Sequence, residues 1–135
     1  MDASAKQSLH LATHLVVLQE AGMASLPKEV QNKARVIFQS ASRLKPAVKS
    51  ARRFTAVMVG HLRDEKDPLT FMRAARLCCS QNIYFEQIGG GLDSTLANAA
   101  KQTSIAQLNY NWLGGLPRAQ TRQHIKRAHV LVNSS

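Results

Sequence analysis

The sequence predicts an all-α fold of five to six amphipathic helices, packed as a single helical domain over residues 1–135. Three observations predict it. Apolar residues recur at helical spacing along most of the chain, no stretch of useful length alternates apolar with polar as a half-buried strand would, and proline and glycine mark the breaks. Aromatic residues make up only 5% of the chain, so Ala, Leu and Val carry most of the 44% hydrophobic content, a mix suited to close helix packing.

The elements follow in order. Leu11, Leu15 and Leu18 fall at i, i+4, i+7, and Gly22 is placed to end that first helix. Ser25 reads as an N-cap ahead of Leu26 and Pro27, after which Val30, Ala34, Ile37, Ala41 and Leu44 hold unbroken 4-3-4-3 spacing as a second helix. Pro46 is expected to stop it, because proline removes a helical donor. A third helix over 46–62 turns Val48, Ala51, Thr55, Met58 and Leu62 inward. Arg63 to Lys66 reads as a solvated loop, and Asp67-Pro68 as an Asx cap with proline in the first turn. The fourth helix then runs to about Gln87 and ends at Gly89-Gly90-Gly91, which reverse the chain so that helices four and five form an antiparallel hairpin. Asp93 or Ser94 caps the fifth, 95–113, with Leu96, Ala100, Thr103, Gln107 and Tyr110 on one stripe. Gly114-Gly115 breaks it, and Pro117 opens a last helix with Ile125, Ala128 and Val132 inward.

Charge supplies the functional signal. The net charge is +10, yet residues 30–63 hold eight Lys or Arg and no acid, and residues 94–135 hold five more with none. Lys45, Lys49, Arg52 and Arg53 fall on one predicted helix face, and Arg118, Arg122, Lys126 and His129 on another, with Arg127 beside them. No acid lies one turn away to neutralise either stripe. The expected contact is therefore anionic: lipid headgroups or a neighbouring acidic subunit, with a nucleic-acid phosphate backbone as the alternative.

Motifs for chemistry are sparse. The three glycines at 89–91 lack the spacing and the following Lys-Ser or Lys-Thr of a P-loop. His10 and His14 share a predicted face but have no Cys, Asp or Glu beside them in sequence, so no metal site and no cofactor are expected. The adjacent Cys78 and Cys79 read as free thiols of a reducing compartment, the former a core residue. Eight carboxylates, mostly in caps and loops, offer little for paired acid–base work, and no catalytic residue is assigned. Tyr110 and Trp112 are candidates for a core contact, a stacking platform or an interfacial anchor. No segment reaches the roughly eighteen apolar residues of a spanning helix, and no signal peptide is visible.

The stretch VKSARRFTAVMVGHL, followed by KDPLTFMRAARLCCSQNIYFEQIGGGL, resembles the peroxisomal membrane-proliferation (peroxin-eleven) family. The resemblance covers about 45 of the 135 residues and places Arg52, Arg53, Asp67, Pro68, Asn82 and Tyr84 at pattern positions. It implies amphipathic helices that bind and remodel a membrane surface, with no catalytic residue to transfer. The combined expectation is a non-enzymatic accessory or scaffold subunit of a larger assembly. It would be peripheral to a mitochondrial or peroxisomal membrane and would dock through Lys45, Lys49, Arg52, Arg53, Arg118, Arg122, Lys126 and Arg127. The alternative expectation is a basic helical component of a ribosome or other ribonucleoprotein.

Overall fold

Parallel β-sheet, absent from the sequence-based expectation, organises the chain. The computed structural model describes residues 2–45 and 47–134. They fall into two compact units, Met1–Arg43 and Leu44–Ser135.

The first unit holds α1 (Ala3–Leu11), β1 (Leu15–Val17), α2 (Glu20–Ala24), α3 (Lys28–Gln31) and β2 (Ala34–Val36). β1 and β2 pair in parallel, Leu15 opposite Ala34. Val30 and Ala34 form its buried centre. Gly22 lies inside α2 rather than ending a helix, and a β-carbon there would sit 2.9 Å from Val17 Cβ, so the missing side chain lets α2 close onto β1. Lys33 Nζ donates to the carbonyls of His10 (2.9 Å) and Ala12 (2.7 Å), satisfying orphan acceptors at the end of α1.

The second unit runs β3 (Phe54–Val59), α4 (Pro68–Leu77), β4 (Ile83–Ile88), α5 (Ser94–Ala106), β5 (Tyr110–Trp112), α6 (Arg118–Arg127) and β6 (Val130–Val132), with one 3-10 turn at Asp64–Lys66. The sheet order is β5-β4-β3-β6 and every pairing is parallel, with Phe54 opposite Ile83, Phe85 opposite Tyr110 and Ala56 opposite Val130. Alternate strand residues face opposite layers. Ala56, Met58, Phe85 and Tyr110 meet Phe71, Met72 and Ala75 of α4 and Leu96 and Ala100 of α5 on one face. Val57, Ile88 and Ala128 meet Leu113, Leu116 and Ile125 on the other, where α6 packs. Each fully buried aliphatic side chain of this kind contributes about 1.5–3 kcal/mol.

The all-α expectation is therefore corrected to α/β. The third expected helix is in fact β3, the fourth ends at Leu77 and gives way to β4, and the fifth ends at Ala106 before β5. The second helix shrinks to α3, and the first stops at Leu11. Phe-Thr-Ala-Val-Met-Val and Ile-Tyr-Phe-Glu-Gln-Ile are short apolar runs from strands covered on both faces, so they show no alternation. The expected stop at Pro46 lies outside the described residues. Three helix starts stand where local chemistry placed them: Asp67 Oδ1 accepts from Thr70 N–H, Asp93 Oδ1 accepts from Leu96 N–H, and Pro117 precedes α6.

One buried polar pair fixes β5 against β4. The Tyr110 hydroxyl donates to Gln87 Oε1 in a short hydrogen bond, and Gln87 is fully buried. Burial pushes the Tyr110 phenol above its ordinary range, with Arg76 pulling partly the other way. An unfolded tyrosine ionises near pH 10 while the folded one stays protonated, so this contribution is full below about pH 10 and declines as pH rises above it. Tyr110→Phe is expected to lower stability by about 1–3 kcal/mol, because Gln87 loses its donor. Denaturant titrations of both forms at several pH values check it: the mutant's alkaline loss of stability should be shallower than the parent's.

Candidate functional site

Strand order places the site. β3, β4 and β5 build outward in one direction, and β6 returns to the other side of β3. In such sheets the loops at the carboxyl ends of the strands diverge at this switch and leave a crevice for ligands.

The loops at that edge are rich in glycine and stitched together through the backbone. Gly60 N–H donates to Ile88 O (2.8 Å), Leu62 N–H to Gly90 O (2.9 Å), and Gly89 N–H to Gly114 O (2.8 Å). Gly89 has φ +154°, and a β-carbon there would fall 1.9 Å from Gly60 O, so no other residue fits. Trp112 Nε1 donates to Gly89 O at 2.9 Å and holds the same loop from β5.

Cations are delivered to this edge by the loop after β3. The stem of Lys66 crosses Gly60, with Cγ, Cδ and Cε 3.4–3.9 Å from where a β-carbon would be. Asp67, the next residue, sits in the left-handed region at φ 43°, an unusual conformation for a non-glycine residue. Ser134 Oγ, just past β6, lies 2.9 Å from Lys66 O and 3.0 Å from Asp67 O, which ties the two sides of the switch together. Arg63 is exposed and pairs with Glu65 only at 3.7 Å, a surface contact worth about 0–1 kcal/mol and readily exchanged. His61 is exposed, and its Nδ1 accepts from Gly90 N–H at 3.0 Å.

The residues expected from sequence to contact an anion are distributed differently. Lys45, Lys49, Arg52 and Arg53 precede β3 in a segment without helix, so the shared helix face does not form. Arg52 and Arg53 lie at the amino end of β3, whereas Leu44, beside Lys45, lines a cleft with Arg118 and Ala119 at the start of α6. Arg53 stacks 3.9 Å over the Tyr84 ring and approaches Glu86 at 3.7 Å, and His124 Nδ1 reaches the other Glu86 oxygen at 2.8 Å. Arg118, Arg122, Lys126 and Arg127 do share a helix, α6, and Arg118 begins it directly after the Gly114-Gly115 loop. His129 directly precedes β6, with Nδ1 accepting from Thr55 N–H (3.1 Å) and Nε2 3.0 Å from Ser50 O. His10 lies in the last turn of α1 and His14 lies beyond the helix, so they are not one helical turn apart on a common face. Cys78 and Cys79 line a cleft of about 540 Å³ with Tyr84 and Asn109, at the amino end of β4 and β5. Among the described residues no group of three or more His, Cys, Asp or Glu converges, and no helix is long and apolar enough to cross a membrane.

Sequence reasoning missed Gly60, His61, Arg63 and Lys66 as site residues, and it read the glycines at 89–91 as a helix end and chain reversal. The available signal was the recurrence of glycine directly after short apolar runs, at Gly60, Gly89 and Gly114.

An all-parallel sheet with helices on both faces and glycine-lined loops at its carboxyl edge defines a doubly wound α/β unit. Solved structures of other proteins share it. A mutant of S. aureus TarM, in complex with fondaparinux, α-GlcNAc-glycerol and UDP, matches with a TM-score of 0.75 at 13% identity, over 100% of this chain and 28% of TarM. The apo lipopolysaccharide outer core galactosyltransferase WaaB matches with a TM-score of 0.60 at 14% identity, over 92% of this chain and 37% of WaaB. The chain thus spans about a third of either neighbour. No known family model and no curated protein sequence matches it. WaaB is a galactosyltransferase by name, so the expectation of a non-enzymatic, all-helical chain is corrected: the fold is one that such an enzyme also has.

Two substitutions test how the edge is built. Gly89→Ala should destabilise the chain by about 2–4 kcal/mol through strain and backbone collision, read as a lowered denaturation midpoint. Asp67→Asn should stay within about 0.5 kcal/mol of the parent, since asparagine caps and tolerates the left-handed region, whereas Asp67→Ala should lose about 1–2 kcal/mol.

Proposed function

We propose that the chain supplies the nucleotide-sugar-binding unit of a glycosyltransferase. The observation that carries this reading is the stem of Lys66 lying along Gly60, beside the glycine-lined loops after β3 and β4, with Arg63 in the same loop. Glycines allow a ligand close to the backbone, and the two cations complement a diphosphate. The fold shared with a neighbour whose crystals contain UDP supports the same ligand class.

The chemistry asked of these residues is electrostatic. In glycosyl transfer the bond from the sugar's anomeric carbon to the diphosphate oxygen breaks, and a bond forms to the acceptor's nucleophilic atom, which loses its proton. Negative charge gathers on the departing diphosphate, and fixed cations beside it lower the barrier. Lys66 is better placed than Arg63 for this, because its half-buried stem is held against Gly60 while Arg63 is free to move.

Titration calorimetry of the 135-residue chain with UDP tests the reading. Binding should weaken about tenfold in Lys66→Ala, less in Arg63→Ala, and should fall with added salt. A chain that binds no UDP at any salt concentration would overturn it.

The basic residues of α6 support a second proposal, contact with an anionic surface, lipid headgroups ahead of nucleic acid. Arg118 and Arg127 are exposed on a helix with no buried residue and no acid. Each cation near an anionic bilayer contributes on the order of 1 kcal/mol. Sedimentation with phosphatidylserine vesicles should recover the chain, and Arg118→Glu with Arg127→Glu should release it. Equal recovery by neutral vesicles, or none by anionic ones, would remove this proposal.

A further inference from the structure

Two histidines of the second unit are held in the same way and differ in what they have left to offer. His129 Nδ1 accepts from Thr55 N–H, so its proton resides on Nε2 and is directed to Ser50 O at 3.0 Å. Both ring nitrogens are used, and the residue ties β6 to β3. His61 Nδ1 likewise accepts from a backbone N–H, that of Gly90 at 3.0 Å. This again fixes the proton of the neutral ring on Nε2. Among the described residues nothing engages that Nε2–H, and His61 is exposed.

The location of this spare donor is specific. His61 directly follows Gly60, which is crossed by the Lys66 stem on one side and approached by Gly89 on the other. A β-carbon on Gly90 would lie 3.3 Å from His61 Nδ1 and 3.7 Å from Cε1, so the ring rests on the glycine backbone and is steadied there. A histidine placed only to brace the loop would need Nδ1 alone. We infer that His61 is a ligand-contacting residue whose Nε2–H donates to a phosphate oxygen of the bound nucleoside diphosphate. The inference rests on the nucleotide-sugar reading above and adds a neutral, oriented donor to the cations Lys66 and Arg63. Because Nδ1 is occupied by Gly90 N–H, the contact is made through the Nε2–H.

The test uses the same chain and UDP as the probe. His61→Ala should weaken UDP binding about tenfold, the loss of one hydrogen bond to a charged group. His61→Gln, whose side-chain amide also donates, should recover most of it. In the parent, long-range proton–nitrogen NMR correlations should show the proton on His61 Nε2, with that nitrogen shifting when UDP is added. If His61→Ala binds UDP like the parent while Lys66→Ala does not, the inference fails and the nucleotide reading survives. If glutamine does not rescue and the Gly90 amide signal moves in the alanine variant, His61 is only a brace, and the inference also fails. If the parent binds no UDP, both fall together.

Discussion

The close approach of two backbones, at Gly60 on the end of β3 and Gly89 on the end of β4, constrains everything built above it. The carbonyl of Gly60 occupies the space a side chain at residue 89 would need. Because it does, the parallel pairing continues past both strands, through Gly60 N–H to Ile88 O and Leu62 N–H to Gly90 O. The loops are thereby held in register where they leave the sheet. Trp112 and Gly114 fasten Gly89 from β5, and Ser134 fastens the Lys66 carbonyl from beyond β6. All four strands therefore contribute to one edge. A side chain mounted on any of these loops inherits the rigidity of the sheet, which a binding site needs if its donors are not to reorganise around the ligand.

The layers beneath serve that edge. A sheet with helices on both faces draws polar strand residues inward as well, and two adjacent polar side chains of β4, Glu86 and Gln87, are treated differently. Gln87 is fully buried, and its carbonyl is satisfied by Tyr110. Glu86 faces the α6 side with part of its surface in water, and two cationic or ionisable partners, Arg53 and His124, stand at its two oxygens. The neutral amide can be enclosed with one good hydrogen bond, whereas a carboxylate needs both solvent and counter-charge. Placing glutamate on the thinly covered face and glutamine on the face under α4 and α5 is consistent with those costs.

Local capping chemistry was legible in the sequence, and tertiary burial was not. Asp67-Pro68, Asp93 and Pro117 mark helix starts because a cap depends on residues within one turn, and all three hold. The strands were read as helices for one physical reason. Thr55, Met58 and Leu62 match a helical stripe by spacing, yet in β3 Thr55 and Met58 point to opposite layers, both covered. Periodicity reports one-sided burial, and a central parallel strand has none to report. The Val30 to Leu44 stripe shows the converse: Val30 and Ala34 are buried, but Ile37 is 56% exposed and Ala41 is exposed, so the spacing beyond Ala34 is coincidental. The candidate site was half visible. Its glycines were noticed, but one run was assigned to a helix terminus, and Lys66 was assigned to a solvated loop. Only the pairing of β3 with β4, residues 29 positions apart in register, brings Gly60 and Gly89 together.

The charge pattern takes on a different meaning once the strand ends are known. Counted along the chain, the cations form two acid-free tracts and suggest an extended anionic surface. Sorted by strand polarity, they separate into groups with different surroundings. At the amino edge, Arg53 is engaged by Tyr84 and Glu86. At the carboxyl edge, Lys66 is braced along its stem and Arg63 is held only by an exposed glutamate. A small number of cations positioned over glycine backbone makes a stronger local field than the same number spread over a face, because the low-polarity wall of the sheet cannot screen them as water does. A diphosphate concentrates its charge on the scale of that edge, whereas a bilayer or a nucleic-acid backbone spreads it over many ångströms. Under the diphosphate proposal, the edge at β3 and β4 would hold the compact anion, and the broad positive charge of the rest of the chain would draw it from longer range.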